Sequence, residues 1–239
     1  MSAGAGALAR PREAGDLDRV YVWELPVRLT HWAIALSIFV LAFTGYYIGS
    51  PFIAVPGEAR FAFVMGTVKA IHFYAAIVFT VAMLSRIVWM FVGNEYARWD
   101  QLLPVSAARW RVMWGTFRYY VFLRRDPPAV TGHNPLAGVL YSLVFLINLA
   151  MIATGLALYS TSASLDSPLR AFDFLVPLVG GLQTARWIHH VGMWLLLGFF
   201  VHHIASALLW SIIERTGTME SIFSGVKFIT HRHRGEGSE

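Results

Sequence analysis

Four stretches of this 239-residue chain hold no carboxylate and are long enough to cross a bilayer, for which about 20 apolar residues suffice. They fall at about residues 26–49, 70–92, 137–159 and 187–213. Lipid offers no partner to a backbone N–H or C=O, so runs of this kind must fold as helices. Hydrophobic residues make up 56% of the chain and charged residues 14%, too apolar a balance for the surface of a soluble domain. The expected fold is therefore all-α, an integral membrane four-helix bundle over residues 21–228. A disordered N-terminal tail of residues 1–20 and a basic C-terminal tail of residues 229–239 flank it. The first 18 residues have no apolar core, so no cleavable signal peptide is read there.

The basic residues set an orientation. Fifteen of the 19 lysines and arginines lie on the side that holds both chain ends and the second connection, with only Arg60, Lys69, Arg170 and Arg186 on the other. The positive-inside rule then puts both termini in the cytoplasm of a bacterial inner membrane. This topology also accounts for the net charge of +5, so no nucleic-acid partner is read from it. Trp23, Trp32, Trp89, Trp110, Trp114, Trp187 and Trp210 fall near span ends, as an interfacial belt requires. Between Pro104 and Asp126, Arg111, Arg118 and Arg125 recur every seven residues beside a stripe of Trp110, Trp114 and Phe117. This is the pattern of an amphipathic cytoplasmic helix, lying either on anionic lipid headgroups or against the end of the bundle. The apolar connection from Phe172 to Gly181 suits the membrane surface or a partner.

Six of the nine histidines lie in or at the edge of the spans: His31, His72, His189, His190, His202 and His203. Polar groups in the bilayer are costly and tend to mark function. His189 and His203 are 14 residues apart, which brings them within ~40° of one face and separates them by ~21 Å along the axis. His72 lies near the outer end of the second span, level with His189, and His31 near the inner end of the first, toward His203. The pairs His72/His189 and His31/His203 are thus placed to hold one iron each. The chain has no cysteine, which excludes thiolate ligands and covalent c-type attachment, so two b-type haems with bis-histidine ligation are expected.

Cations accompany these histidines. Arg28, Lys69 and Arg186 each precede one of them by three residues, a spacing suited either to haem propionates or to snorkelling from helix ends. Arg86 follows His72 by 14 residues, the interval that separates His203 from His189. It is expected beside the inner haem, as a propionate partner or at a quinone pocket. His190 and His202 point off the shared face, which suits hydrogen bonding between helices. His133 opens the third span within Gly132-His133-Asn134-Pro135, where Asn134 is a plausible N-cap and Pro135 suits N1. Thr44-Gly45 and Thr154-Gly155 put small residues inside spans, where either a haem or a neighbouring helix can come close. No internal repeat stands out. With no carboxylate inside a span, a carboxylate-driven pump is disfavoured.

Arg28-Leu29-Thr30-His31-Trp32, continuing to Leu41 and Thr44-Gly45, resembles the first signature of the b-type cytochrome subunit of membrane-bound nickel–iron hydrogenases. His189-His190-Val191-Gly192-Met193-Trp194, with Phe199 and His203, resembles its second. Pro56-Gly57-Glu58-Ala59 and Gly132-His133-Asn134-Pro135-Leu136-Ala137 extend the likeness over about Tyr21 to Phe228. Departures are His190, where the family commonly has arginine, and the segment Glu214-Arg215-Thr216-Gly217. The resemblance implies an electron-transfer subunit with no hydrogen chemistry of its own. Its implied partners are a large subunit and an iron–sulfur small subunit with an anchoring helix, both on the periplasmic face. Electrons would enter at the His72/His189 haem and leave by the His31/His203 haem to a membrane quinone.

Two other readings compete. Cytochrome b subunits of formate dehydrogenase or thiosulfate reductase type have similar ligation, and co-purifying subunits would distinguish them. A haem-free anchor or transporter would use its histidines for packing alone, and would show no haem spectrum.

Overall fold

The computed structural model describes residues 17–53, 63–102, 106–121, 123–124, 135–214 and 217–230. Within these, the chain runs as β1 (Leu17–Tyr21), α1 (Leu25–Gly49), α2 (Val64–Val92), α3 (Ala107–Tyr120), α4 (Pro135–Ser160), α5 (Leu175–Leu178), α6 (Leu182–Glu214), α7 (Thr218–Ser224) and β2 (Val226–Thr230). Helices α1, α2, α4 and α6 are the four spans, each long and apolar enough to cross a membrane. Every span starts at or before its expected position. Helix α2 begins six residues early: Val64 to Lys69 contains no proline, and the Thr67 N–H already donates to Phe63 O at 2.8 Å, so the helix runs through Gly66. Helix α6 starts after Gly180 and Gly181, whose φ angles of +86° and +94° turn the chain in a way other residues resist.

Only 17–22% of each span's apolar window is buried within the protein, leaving side chains such as Leu36, Phe39, Phe43, Ile77 and Leu146 facing outward. That arrangement is stable in lipid, where helices associate by close packing rather than by escape from water. The contacts accordingly use small side chains, with Ala42, Ala82, Ala157 and Ala185 buried. Helix α1 lies chiefly against α2 and α4 chiefly against α6, giving two antiparallel hairpins. At the α4–α6 contact, a Cβ on Gly192 would stand 2.5 Å from Met151 Sδ.

Strands β1 and β2 pair antiparallel, from Leu17 opposite Thr230 to Tyr21 opposite Val226. Leu17–Val20 and Ile229–Thr230, which sequence reading assigns to the flanking tails, belong to this sheet. Each strand finds its backbone partners some 200 residues away, and no local pattern announces that. Gly225 closes this clasp: its carbonyl accepts from Val22 N at 2.8 Å and Trp23 N at 3.0 Å. One Glu24 carboxylate oxygen then accepts from Trp89 Nε1 and Asn94 N, both at 2.8 Å, tying α1 to the end of α2. Trp23 Nε1 donates to Ser221 Oγ at 3.1 Å. Two tryptophans expected in an interfacial belt, Trp23 and Trp89, thus knit this end of the bundle. Because it also carries α3 and most of the cations, it is called the basic end below, and the opposite one the far end.

Helix α3 is capped by Ser106 Oγ, which accepts from Arg109 N at 3.3 Å. Met113 and Thr116 are buried on the side toward α4, while Trp110, Trp114 and Phe117 are exposed. Arg111, Arg118 and Arg124 surround an open groove beside the two indoles. At the far end, a 3₁₀ turn at Pro168–Phe172 and α5 pack on α4, with Phe174 and Leu178 exposed. Arg125, His133, Asn134, His231 and His233 lie outside the described residues, as do the Pro56-Gly57-Glu58-Ala59 segment and Arg215.

Candidate functional site

Helix α6 presents His189 and His203 toward different helices at different heights. His72 of α2 meets His189 with ring centroids 6.5 Å apart and planes inclined at 57°. His31 of α1 meets His203 at 6.3 Å and 52°. Two imidazoles that share one metal through nitrogens at about 2 Å have centroids about 6 Å apart, so both pairs have the spacing of a shared axial site. Among the described residues no three His, Asp or Glu side chains gather as a metal cluster. Sites with only two protein donors suit a metal that brings its own equatorial ligands, as a porphyrin iron does.

The far-end pair is built in duplicate. Thr44 Oγ1 donates to Val40 O at 2.7 Å, one turn back on its own helix, and stands 2.8 Å from His72 Nδ1. Thr154 Oγ1 donates to Ala150 O at 2.7 Å and stands 2.9 Å from His189 Nδ1. A hydroxyl has one proton, and each is directed to a carbonyl, so each imidazole is assigned as the donor through Nδ1–H. Nε2 of both rings is then the free lone pair, as a metal ligand needs. The following glycines lie against the rings. A Cβ on Gly45 would stand 3.3 Å from His72 Cε1, and one on Gly155 would stand 3.4 Å from His189 Cε1. Each hairpin therefore uses the Thr-Gly of its first helix to hold the histidine of its second. Sequence reading noted both dipeptides but not the role of the hydroxyls. The signal was there in the repetition of Thr-Gly in the first and third spans.

The basic-end pair has different surroundings. His203 stacks on Phe199 at 5.3 Å and meets the edge of Tyr141 at 5.9 Å. His31 lies edge-on to Trp32, and its Nδ1 is buried without a hydrogen-bond partner among the described residues. Two guanidiniums near this end are incompletely satisfied. Arg28 Nη1 donates to Phe223 O of α7, but its buried Nε has no partner among the described residues. Arg86 Nη2 donates to Ala97 O at 3.1 Å, while its buried Nη1 has none. Buried N–H groups in this state suit an anionic or carbonyl-bearing occupant.

The remaining candidates are more peripheral. Lys69 and Arg186 are exposed, the latter reaching Gln183 Oε1 at 3.4 Å. His190 differs from expectation: its Nδ1–H donates within α6, to Arg186 O at 2.9 Å, rather than to a neighbouring helix. Its other edge is against α1, where a Cβ on Gly49 would stand 2.6 Å from His190 Nε2. His202 is exposed.

A family model described as prokaryotic cytochrome b561 matches residues 22–225. Curated relatives carry the name "Probable Ni/Fe-hydrogenase B-type cytochrome subunit". The one from Azotobacter vinelandii is 38% identical over 229 residues, covering 92% of this chain and 95% of the relative. That from Cupriavidus necator is 40% identical over 215 residues, covering 89% and 88%. A relative from Escherichia coli K12, named as the hydrogenase 1 subunit, is 39% identical over 211 residues, covering 87% and 90%.

Proposed function

The chain belongs to the prokaryotic cytochrome b561 family, and on that footing we propose that it is the dihaem electron-transfer subunit of a membrane-bound nickel–iron hydrogenase. The two imidazole pairs that α6 forms with α2 and α1, at 6.5 and 6.3 Å, carry this reading. His72 and His189 hold one haem b near the far end, and His31 and His203 hold a second near the basic end. When bound, each supplies a one-electron couple, and the hydrogen chemistry belongs to the partner subunits. The protein's part is to fix the imidazoles, exclude water and place cations beside the propionates. Arg28 and Arg86 serve the basic-end haem through N–H groups that lack partners among the described residues.

The names of the relatives and the cation asymmetry support the rest of the assignment. The basic end faces the cytoplasm of a bacterial inner membrane, with both termini there. The far end faces the periplasmic small subunit, with its iron–sulfur centres and anchoring helix, and through it the large subunit. A membrane quinone accepts the electrons. The exposed Trp110, Trp114 and Phe117 of α3 lie among lipid headgroups, with Arg111, Arg118 and Arg124 facing their phosphates.

The test is the b-type absorbance of membranes containing the whole complex. Hydrogen is expected to reduce it, and added quinone to reoxidise it. Absorbance that hydrogen leaves unchanged, but formate or thiosulfate-linked chemistry changes, would move the chain to another oxidoreductase.

Replacing Arg86 with Leu is expected to lower the potential of the basic-end haem alone. A lost positive charge favours the ferric state, and a tenfold shift of that equilibrium corresponds to about 59 mV for one electron. Redox titration of the purified variant checks this. Two unchanged potentials would remove Arg86 from the site.

A further inference from the structure

We infer that Thr44 and Thr154 are positioning residues that set the far-end haem at the lower potential of the two. This rests on the ligand assignment of the preceding section and concerns what stands behind the ligands. Three observations carry it: the paired contacts to Nδ1 at 2.8 and 2.9 Å, the commitment of each hydroxyl proton to a carbonyl at 2.7 Å, and the buried, unpartnered Nδ1 of His31.

An imidazole that donates Nδ1–H to an oxygen gains electron density at Nε2 and becomes a stronger ligand. Each threonine oxygen also gives its own proton to a helix carbonyl, which polarises it and strengthens its acceptance. Stronger donation favours ferric over ferrous iron and lowers the potential. Both far-end imidazoles have this support, while at the basic end His31 has none among the described residues. The threonines also lock ring orientation. Gly45 and Gly155 lie against the ring carbons, which a Cβ at either position would approach to 3.3 and 3.4 Å, so each imidazole is seated against a neighbouring backbone in one tautomer. The result is a built-in difference between two sites that have the same ligand set, with electrons in the far-end haem placed uphill of the basic-end one.

The experiment uses the purified full-length cytochrome and measures haem stoichiometry and spectroelectrochemical midpoints. Its variants are Thr44→Val, Thr154→Val, the double variant and the two Thr→Ser controls. Valine keeps the shape and removes the hydroxyl. Each Thr→Val change is expected to shift the ferric–ferrous equilibrium of one haem about tenfold toward ferrous, 59 mV upward for one electron. The double variant should shift it further, the second haem should stay unmoved, and serine should restore the original value. If valine instead releases the haem and serine retains it, the hydroxyl is again responsible, and the inference stands only if the haem lost is the one with the lower wild-type midpoint. Two retained haems with unchanged potentials, equal shifts of both, or a defect that serine does not repair would overturn it. His72→Ala and His189→Ala accompany the series. Should these fail to remove a common haem, the ligand assignment itself has failed, whatever the threonine variants show.

Discussion

Alanine at His72 and alanine at His189 are each expected to remove one haem, and the same one, lowering the stoichiometry from two per chain to one. Each ring is half of a two-ligand site at 6.5 Å, in a region where no other described histidine is paired to substitute for it. Truncation leaves a single axial bond and an apolar void in its place, and second-ligand contacts of this kind are worth at least the 10–100-fold in affinity that outer-shell partners contribute. Alanine at His31 or His203 should remove the other haem by the same reasoning. Distinguishing the two haems by midpoint potential makes the assignment readable from titration curves. Loss of a common haem by His72→Ala and His31→Ala would show that the rings do not pair as their distances indicate.

The second large effect is expected at the clasp. Gly225 has φ +83°, and a Cβ there would stand 2.6 Å from Tyr21 Cε2 and 2.7 Å from Trp23 O. A left-handed conformation costs a branched residue roughly 1–2 kcal/mol, and overpacking adds roughly 1–3 kcal/mol. Gly225→Val is therefore expected to destabilise the protein by about 2–5 kcal/mol, seen as a lower thermal midpoint in detergent. The effect should reach the haem site, because α7 supplies the Phe223 carbonyl to Arg28 and packs Phe223 on Trp32 at 4.8 Å, beside His31. The basic-end haem should be lost at a lower temperature than the far-end one. An unchanged midpoint would mean that the two chain ends are not joined through this turn.

Much of the architecture could be read from local pattern, because lipid leaves a long apolar run little choice but a helix. The same constraint makes helix arithmetic informative. Fourteen residues between His189 and His203 bring both to one face of α6, and depth indicates which helices lie opposite each. What could not be read was the pairing of distant segments that carry no pattern of their own. The β1–β2 pairing joins residues 17–21 to 226–230, and Glu24 binds Trp89 and Asn94 across two helices. A five-residue strand has no signal of its own until its partner is known. The threonines illustrate a different gap. Thr44 and Thr154 bond their own helix, as buried threonines commonly do, and only tertiary placement shows the second contact to an imidazole. His190 shows the reverse case. Its position off the shared face was evident, yet its proton goes to a carbonyl of its own helix, an intrahelical option that the expectation of a neighbouring helix passed over.

The central claim is that one helix holds two porphyrin irons at separate heights in the membrane. It is tested most directly by counting haem b against protein in the purified, folded wild-type chain. The account predicts two haems per chain with two resolved midpoints; a single haem, or a folded chain with none, would contradict it.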